Sequence, residues 1–333
     1  YPARRSLKER GVVAGAGLEL GMYTDSVKEL TFETALDLAA RVGATGIEIA
    51  TGGQSSAPHL VIDDLLADSG RRVAFAGAFA SRGLRIAALN CSAWPLHPVL
   101  GERHVELIRS TIRLAGELGI RKLVTMSGSP GDGPASTAVN FTWYPWPADS
   151  MALLERQWVA SIELWQDLAA FALSHGVDRL AFELHPLHLV YNVPTLLRLR
   201  EAVGPVIGAN VDPSHMFWQQ MDPIAVIGAL GAAVYHVHLK DTEIVPDQVA
   251  LAGILDQRPF DDPAHRGWVF RTVGSVHGAE YWSRFLDALE QVGYDDVLSI
   301  ENEDASVTAQ EGVELAARFM RPLLVDRHAA SSR

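Results

Sequence analysis

Eight short apolar runs, rich in β-branched residues, recur along the chain and constrain its fold more than any other feature. They lie near residues 18–23, 46–50, 84–90, 120–126, 178–184, 206–212, 234–239 and 296–301. Continuous apolar runs of this length are typical of parallel strands that are buried on both faces. Stretches with helical periodicity separate the runs. In the segment 31–43 the apolar residues fall on one face, and Gly43 is a typical C-terminal stop.

Strands that alternate with helices in this way predict an α/β fold, a single (β/α)8 TIM barrel, with a doubly wound open sheet as the alternative. No break in composition marks a second domain in the 333 residues. We therefore expect an N-terminal extension at 1–16, a barrel domain that carries any active site at 17–325, and a C-terminal tail at 326–333. Two connections, 127–150 and 241–278, are long and follow the fourth and seventh strands. Long loops at that end of a barrel commonly form substrate pockets.

Composition excludes several classes of protein. The formal net charge of −12 argues against nucleic-acid binding, since such proteins neutralise phosphates with Lys and Arg. Cys91 is the single cysteine, which excludes a disulfide framework and a zinc site built from several thiolates. No run of about 18 apolar residues occurs, so we predict no membrane span. The first residues lack the apolar region of a signal peptide, and we expect a cytoplasmic protein.

Polar residues close the later strands. Glu183 ends the fifth, Asp212 ends the sixth, His236 and His238 lie on the seventh, and Glu301 ends the eighth. In a barrel these strand ends meet at one rim, where three close carboxylates would repel one another unless a divalent cation offsets their charge. Three oxygen donors with one imidazole favour Mn²⁺, Mg²⁺ or Co²⁺. His238 is the expected ligand because it lies nearer the rim, and His236 could support it.

Each of these residues also has an ordinary structural interpretation. Asp212 precedes a proline, which is a common turn arrangement. Glu301 lies close to Glu303 and Asp304, so its assignment depends on the register of the strand. His238 could be a core histidine with satisfied hydrogen bonds. The interpretation as a metal site therefore depends on the four residues occurring together.

Four ordered motifs resemble those of the sugar phosphate isomerase/epimerase superfamily, whose members have a xylose-isomerase-like TIM barrel. The motifs are FELHP, NVDPSH, HVHLKD and IENED, and the resemblance covers roughly 17–305, with GATGIEIATGG and ALNCSAWPLHP as further segments. The resemblance implies that Glu183, Asp212, His238 and Glu301 bind one divalent metal. It also implies that the two glutamates exchange protons with carbons beside a carbonyl, and that His215 contacts the substrate.

One position departs from part of this superfamily. Ketose 3-epimerases place an arginine six residues beyond the metal-binding histidine, and here that position is Ile244. The departure argues against a simple ketose 3-epimerase. The chain also resembles the large subunits of C-glycoside-cleaving enzymes, which pair with a small second subunit. We therefore expect a homo-oligomer, with a small second subunit as a further option.

Other side chains near the strand ends are candidates for a substrate pocket. We predict substrate binding by Asn90, Trp94, His97, His185, Trp218 and His236, and stabilisation of developing negative charge by Lys240. Packing, loop capping and local charge balance are the alternatives. Aromatic residues are dense in the expected loops: Trp94, Phe141, Trp143, Tyr144, Trp146, Phe217, Trp218 and Trp268. They could pack in the core or in an interface, or form an apolar wall against a sugar ring or an aglycone.

These residues predict a divalent-metal-dependent isomerase or epimerase of sugars or sugar derivatives. A proton beside a carbonyl is too weakly acidic for a carboxylate unless the enediolate is stabilised, which a metal can do. Glu183 and Glu301 would transfer the proton, and general base catalysis contributes about 10²–10⁴-fold. His215 and Lys240 complete the expected catalytic group.

The alternative is a lyase at the same site. It would eliminate the aglycone from a 3-oxo-glycoside or dehydrate an inosose-like substrate, starting from the same proton abstraction. A family-IV-type endonuclease is disfavoured because it would need several more histidine ligands and a basic DNA-binding face. A non-catalytic sugar-binding protein is disfavoured because all four expected ligands are present.

Overall fold

The computed structural model describes residues 17–331, with side chains as far as Arg327. The segment 1–16, expected to be an N-terminal extension, lies outside the described residues. The last helix reaches Ser331 and so runs into the segment 326–333, expected to be a tail. The domain boundaries stay a prediction.

Eight parallel strands close into a barrel, and all eight runs identified in the sequence are strands. The ten strands of the described chain are β1 (Glu19–Tyr23), β2 (Gly46–Gly53), β3 (Arg85–Ser92), β4 (Lys122–Thr125), β5 (Arg179–Glu183), β6 (Ile207–Val211), β7 (Val234–Leu239), β8 (Asp241–Ile244), β9 (Trp268–Arg271) and β10 (Val297–Ile300). The barrel order is β1-β10-β7-β6-β5-β4-β3-β2. This closed order confirms the predicted barrel and excludes the open doubly wound sheet.

Two of these strands, β8 and β9, lie outside the barrel. They form an antiparallel pair within the long connection after β7, with Asp241 opposite Arg271 and Ile244 opposite Trp268. A long loop was predicted for this connection, and the pair of strands is an addition that the sequence did not indicate. The other long connection, after β4, has no strand and ends where the following helix begins at Ala148.

Helices cover the outside of the barrel. They are α1 (Phe32–Val42), α2 (Ile62–Ala67), α3 (Ser69–Ala80), α4 (Gly101–Leu118), α5 (Ala148–Ser174), α6 (Val193–Val203), α7 (Pro213–Trp218), α8 (Pro223–Leu230), α9 (Pro246–Ala252), α10 (Ala279–Gln291) and α11 (Ala309–Ser331). The predicted helix at 31–43 is confirmed as α1. The hydroxyl of Thr31 caps its start, and Gly43 ends it with a φ of +84°. No helix within 17–331 combines the length and the hydropathy that crossing a membrane requires.

The barrel interior changes from apolar to polar along the strands. Ala88, Val124 and Ala181 form a small apolar cluster that is separate from the main core between barrel and helices. Because side chains alternate between the two faces of a strand, the residue two positions further on points to the same face. That residue is Asn90 on β3 and Glu183 on β5. The polar groups therefore lie towards the C-terminal ends of the strands.

An ion pair closes the opposite end of the barrel. Lys122, at the start of β4, has a side chain that is 4% exposed, and its Nζ lies 2.8 Å from Oδ2 of Asp296. Asp296 also lies 2.7 Å from Arg85. These contacts hold the pKa of the Asp296 carboxyl below its usual range, although burial acts in the opposite direction. This end is a structural face of the barrel.

Candidate active site

Four of the predicted site residues converge at the C-terminal ends of the strands. Glu183 ends β5, Asp212 follows β6, His238 lies on β7, and Glu301 follows β10. One ligand atom from each lies within 4.8 Å of the others. Asp212 and His238 are fully buried, and 12% of the Glu301 side chain is exposed. The expected convergence is present, and metal binding by these residues stays a prediction.

The local sequence fixes two of these carboxylates. On β5, Phe182 packs outward against Trp165 with ring centroids 4.5 Å apart, so alternation directs Glu183 inward. Asp212 caps α7, because its Oδ1 accepts the amide proton of Ser214 at 2.9 Å. Its other oxygen, Oδ2, is buried and lies within ion-pair distance of Lys240 and His215, although neither contact has hydrogen-bond geometry. Both interpretations of Asp212 from the sequence therefore apply: it lies in the turn before α7, and it is part of the cluster at the strand ends.

Lys240 lies among the carboxylates. Its Nζ is 2.7 Å from Oε2 of Glu301, 2.8 Å from Oε2 of Glu303 and 3.1 Å from Oδ2 of Asp212. Burial alone would lower its pKa, but the surrounding carboxylates outweigh burial and raise the pKa well above the usual value. Lys240 is therefore a permanent cation at the centre of the cluster.

Two further histidines adjoin Glu183. Nε2 of His215 is 3.0 Å from Oε1 of Glu183 and 3.3 Å from Oδ2 of Asp212. The rings of His215 and His185 have centroids 4.3 Å apart. Burial lowers the pKa of each imidazole to about 4, and the repulsion between two imidazolium ions adds to the effect for His185. Both rings are therefore neutral near pH 7, so His215 can donate one hydrogen bond to the Glu183 carboxylate.

Glu48 was not among the residues predicted from the sequence; it lies within β2 and is fully buried. Its Oε2 is 2.7 Å from Nε2 of His236, and both oxygens are 3.1 Å from Nε2 of His238. Nδ2 of Asn90 donates a hydrogen bond to Oε1 at 2.6 Å. The two histidines hold the pKa of Glu48 well below its usual value against the effect of burial. In the sequence, the one feature that could have indicated its role is that an acidic residue stands between Ile47 and Ile49 in an apolar strand.

Three of the predicted substrate-binding residues lie near the site in different ways. Asn90 contacts Glu48 inside the barrel, as does His236. The ring of Trp94 packs on His188, with centroids 4.1 Å apart. Contact of these residues with a substrate stays a prediction.

His97 and Trp218 have local partners. Nδ1 of His97 accepts the amide protons of Val99 and Leu100 at 3.0 and 3.1 Å, so this ring caps its own loop. Trp218 stacks on Trp268, with centroids 4.6 Å apart and ring planes 2° from parallel. Their substrate roles also stay predictions.

The β8–β9 hairpin adds an aromatic wall to the site. Phe270 on β9 lies 4.6 Å from Nζ of Lys240, measured to the ring centroid, and its ring is 5.4 Å from that of His215. Phe260 stacks on Phe270 at 5.9 Å, and Trp268 packs edge-on at 5.3 Å. The position where ketose 3-epimerases have an arginine is therefore part of a hairpin that presents aromatic rings.

A cavity of about 350 Å³ opens beside Glu301. Its lining includes Asp25, Glu29, Glu303 and Asp304, all acidic. The cavity lies at the end of β10 and, of the four converging site residues, meets Glu301 alone, because Glu183, Asp212 and His238 are not part of its lining.

Comparison with known proteins places the chain in a family. Residues 36–323 match the model of the xylose isomerase-like TIM barrel family, and the chain belongs to this family. It is similar to the uncharacterized protein YfiH of Bacillus subtilis (strain 168), with 38% identity over 308 residues, which cover 91% of this chain and 98% of YfiH. The family confirms the resemblance read from the four motifs.

Solved structures share the fold. The IOLI protein with a bound zinc atom superimposes with a TM-score of 0.65 at 19% identity, over 92% of this chain and 98% of IOLI. The probable 3-DHS dehydratase AsbF of Bacillus anthracis gives 0.64 at 16% identity, over 91% and 98%. An L-ribulose 3-epimerase gives 0.61 at 17% identity, over 95% and 97%. At these identities the similarity establishes the fold alone.

Proposed function

We propose that the protein is a divalent-metal-dependent isomerase or epimerase of sugars or sugar derivatives, which acts by proton abstraction beside a carbonyl. The observation that carries this proposal is the convergence of Glu183, Asp212, His238 and Glu301 within 4.8 Å at the mouth of the barrel. Membership of the xylose isomerase-like family and the fold shared with an L-ribulose 3-epimerase support it.

The residues of the site suit a divalent cation. Oδ2 of Asp212 is a buried carboxylate oxygen whose neighbours, Lys240 at 3.1 Å and His215 at 3.3 Å, do not meet it in hydrogen-bond geometry. Asp212, Glu301 and Glu303 place three carboxylates around the single ammonium group of Lys240. Three oxygen donors and one nitrogen donor favour Mn²⁺, with Mg²⁺ or Co²⁺ as alternatives. The zinc in the IOLI structure is consistent with a metal in this fold.

In this proposal Glu183, Asp212, His238 and Glu301 hold the ion. When bound, the ion supplies positive charge that stabilises the oxyanion of the substrate. The protein's own groups then move the proton. Burial raises the pKa of Glu183 and of Glu301, so each is a stronger base near neutral pH than an exposed glutamate.

Neighbouring side chains orient these two bases. Neutral His215 donates its Nε2 proton to Oε1 of Glu183, which fixes that carboxylate. The ammonium of Lys240 holds Glu301 at 2.7 Å and adds positive charge next to the reacting atoms. Return of the proton to a neighbouring carbon gives isomerisation, and its return to the other face of the same carbon gives epimerisation.

A lyase at the same site is the second candidate. Two observations favour it: Ile244 occupies the position of the ketose-epimerase arginine, and Phe270 and Trp268 form an apolar wall beside Lys240. An aromatic wall suits a substrate that carries an apolar aglycone. After the same proton abstraction, loss of a β-substituent would release the aglycone of a 3-oxo-glycoside or dehydrate an inosose-like substrate. AsbF, described as a probable dehydratase, has the same fold.

One experiment separates these reactions. The Mn²⁺-loaded protein is incubated in D₂O with ketoses, 3-oxo-glycosides and inososes, and deuterium incorporation and product release are followed. Exchange with isomerised or epimerised product supports the isomerase, whereas release of an aglycone or of water supports the lyase. Glu183→Gln should abolish both signals. Glu314→Gln, a change in a surface ion pair with Arg41, should leave them intact. If neither signal occurs while Mn²⁺ is bound, both candidates are wrong.

A further inference from the structure

The buried carboxylate of Glu48 is left unexplained by the proposed function. It lies on β2 and is surrounded by donors from two other strands, Asn90 on β3 and His236 and His238 on β7. Ser299 on β10 contacts the His236 ring at 3.1 Å. A buried carboxylate is costly unless several donors satisfy it, and a residue that served only packing would be apolar. The reason for a carboxylate at position 48 should therefore be found in the side chains that it contacts.

The two nitrogens of His238 face different carboxylates. Nδ1 is 3.0 Å from Oε2 of Glu301, in the cluster at the mouth of the barrel, and Nε2 is 3.1 Å from both oxygens of Glu48, deeper inside. The ring is stacked on Tyr23, with centroids 5.7 Å apart and planes 15° from parallel. Nδ2 of Asn210 lies 3.2 Å from both nitrogens and does not distinguish them. Only Nδ1 faces the site.

We propose that Glu48 is a positioning residue for His238: it accepts the Nε2 proton and thereby keeps the Nδ1 lone pair directed at the cation site. A histidine that binds a metal through one nitrogen commonly donates its other N–H to a carboxylate, which fixes the tautomer and increases the basicity of the ligand. This inference rests on the proposed function, because it requires that the site binds a cation.

His236 fits the same arrangement. It is fully buried, and its Nε2 lies 2.7 Å from Oε2 of Glu48, while its Nδ1 has no hydrogen-bond partner in the described structure. That pattern indicates that the proton is on Nε2 and is donated to Glu48. With Asn90 and His236 as further donors, the carboxylate is held in one orientation. In this proposal His236 therefore supports Glu48.

The first test is the affinity of the full-length protein for Mn²⁺, measured from the EPR signal of the free ion. Glu48→Gln keeps the size of the side chain but removes one acceptor oxygen and the charge. We expect Mn²⁺ to bind about 10–100-fold more weakly, as is typical when a group behind a metal ligand is changed. The matched control is Asp296→Asn, which breaks the buried pair with Lys122 at the other end of the barrel and should lower thermal stability without changing Mn²⁺ affinity.

The second test needs no variant. In protein labelled with ¹⁵N-histidine and saturated with diamagnetic Mg²⁺, the signal that disappears in His238→Gln should show protonated Nε2 and unprotonated Nδ1. A proton on Nδ1 of His238 would overturn the proposal, as would unchanged Mn²⁺ affinity in folded Glu48→Gln. If the wild-type protein binds neither ion, the proposed function fails together with this inference. If it binds Mn²⁺ and Glu48→Gln binds equally well, this inference alone fails.

Discussion

Replacement of Lys240 by methionine tests whether a lysine and a metal ion share the same carboxylates. Methionine is similar in length and apolar, so it removes the charge and keeps much of the volume. Lys240 contacts Asp212 at 3.1 Å and Glu301 at 2.7 Å, and both are proposed metal ligands. Its removal should therefore have opposite effects on the metal-free and the metal-bound protein.

The size of each effect follows from the burial of the pair. Only 2% of the Lys240 side chain is exposed, and breaking a buried ion pair costs about 3–5 kcal/mol, so the metal-free variant should be less stable by roughly the lower figure. Unit charges about 4 Å apart interact by about 4 kcal/mol at an effective dielectric constant of about 20. Removing the repulsion between ammonium and cation should thus strengthen Mn²⁺ binding by at least about tenfold, or about 1.4 kcal/mol, after relaxation.

Two measurements check this prediction. Free Mn²⁺ is followed by EPR during titration, and urea unfolding is measured with and without the ion. Arg41→Met is the control, because it breaks an exposed ion pair with Glu314 that should contribute little. The reasoning is refuted if folded Lys240→Met binds Mn²⁺ no more tightly than the wild type.

Three further predictions concern other parts of the site. Asp212→Asn should fold, because the amide oxygen can still cap α7. It should weaken Mn²⁺ binding by more than the factor of about 10–100 that is typical when a residue behind a metal ligand is changed, and a titration that shows intact affinity would contradict this. Burial lowers the pKa of His188 well below 6.5, and its Nδ1 accepts the amide proton of Gly128 at 3.0 Å. As the pH falls below about 6.5, His188 therefore becomes protonated in the unfolded chain and stays neutral in the folded chain. The stabilisation is present above that pH and is lost below it, and His188→Asn should flatten this loss in urea unfolding measured from about pH 8 to about pH 5. Phe270→Ala should raise the KM for a substrate with an apolar aglycone about tenfold and leave a simple ketose unaffected, which steady-state kinetics on the two substrates would distinguish.

The barrel strands could be predicted because strands buried on both faces appear as continuous apolar runs. Each observed strand overlaps its predicted run, and the largest difference is at the end of β2, which reaches Gly53 instead of residue 50. The four proposed ligands could be predicted because each stands where such a run ends. The predicted order of strands around the barrel then brings Glu183, Asp212, His238 and Glu301 to one rim without any knowledge of side-chain contacts.

The interior partners and the hairpin could not be predicted in the same way. Glu48 interrupts an apolar strand, and only the three-dimensional structure shows that β2 faces β7 across the barrel, where His236 and His238 lie. The strands β8 and β9 have four residues each and pair across a long intervening segment, so their pairing is a tertiary property with no local pattern. The position of Phe270 beside Lys240 depends on that pairing.

The double use of Asp212 has an evolutionary consequence. Oδ1 caps a helix, and Oδ2 points into the carboxylate cluster. A single base change converts an aspartate codon into an asparagine codon, and asparagine could keep the helix cap without the carboxylate. Such a substitution would pass selection for folding while removing a proposed ligand. Under the proposed function, a barrel with this substitution would keep its fold and lose a ligand of its metal, so the residue at this one position would distinguish copies that still bind the ion from copies that only fold.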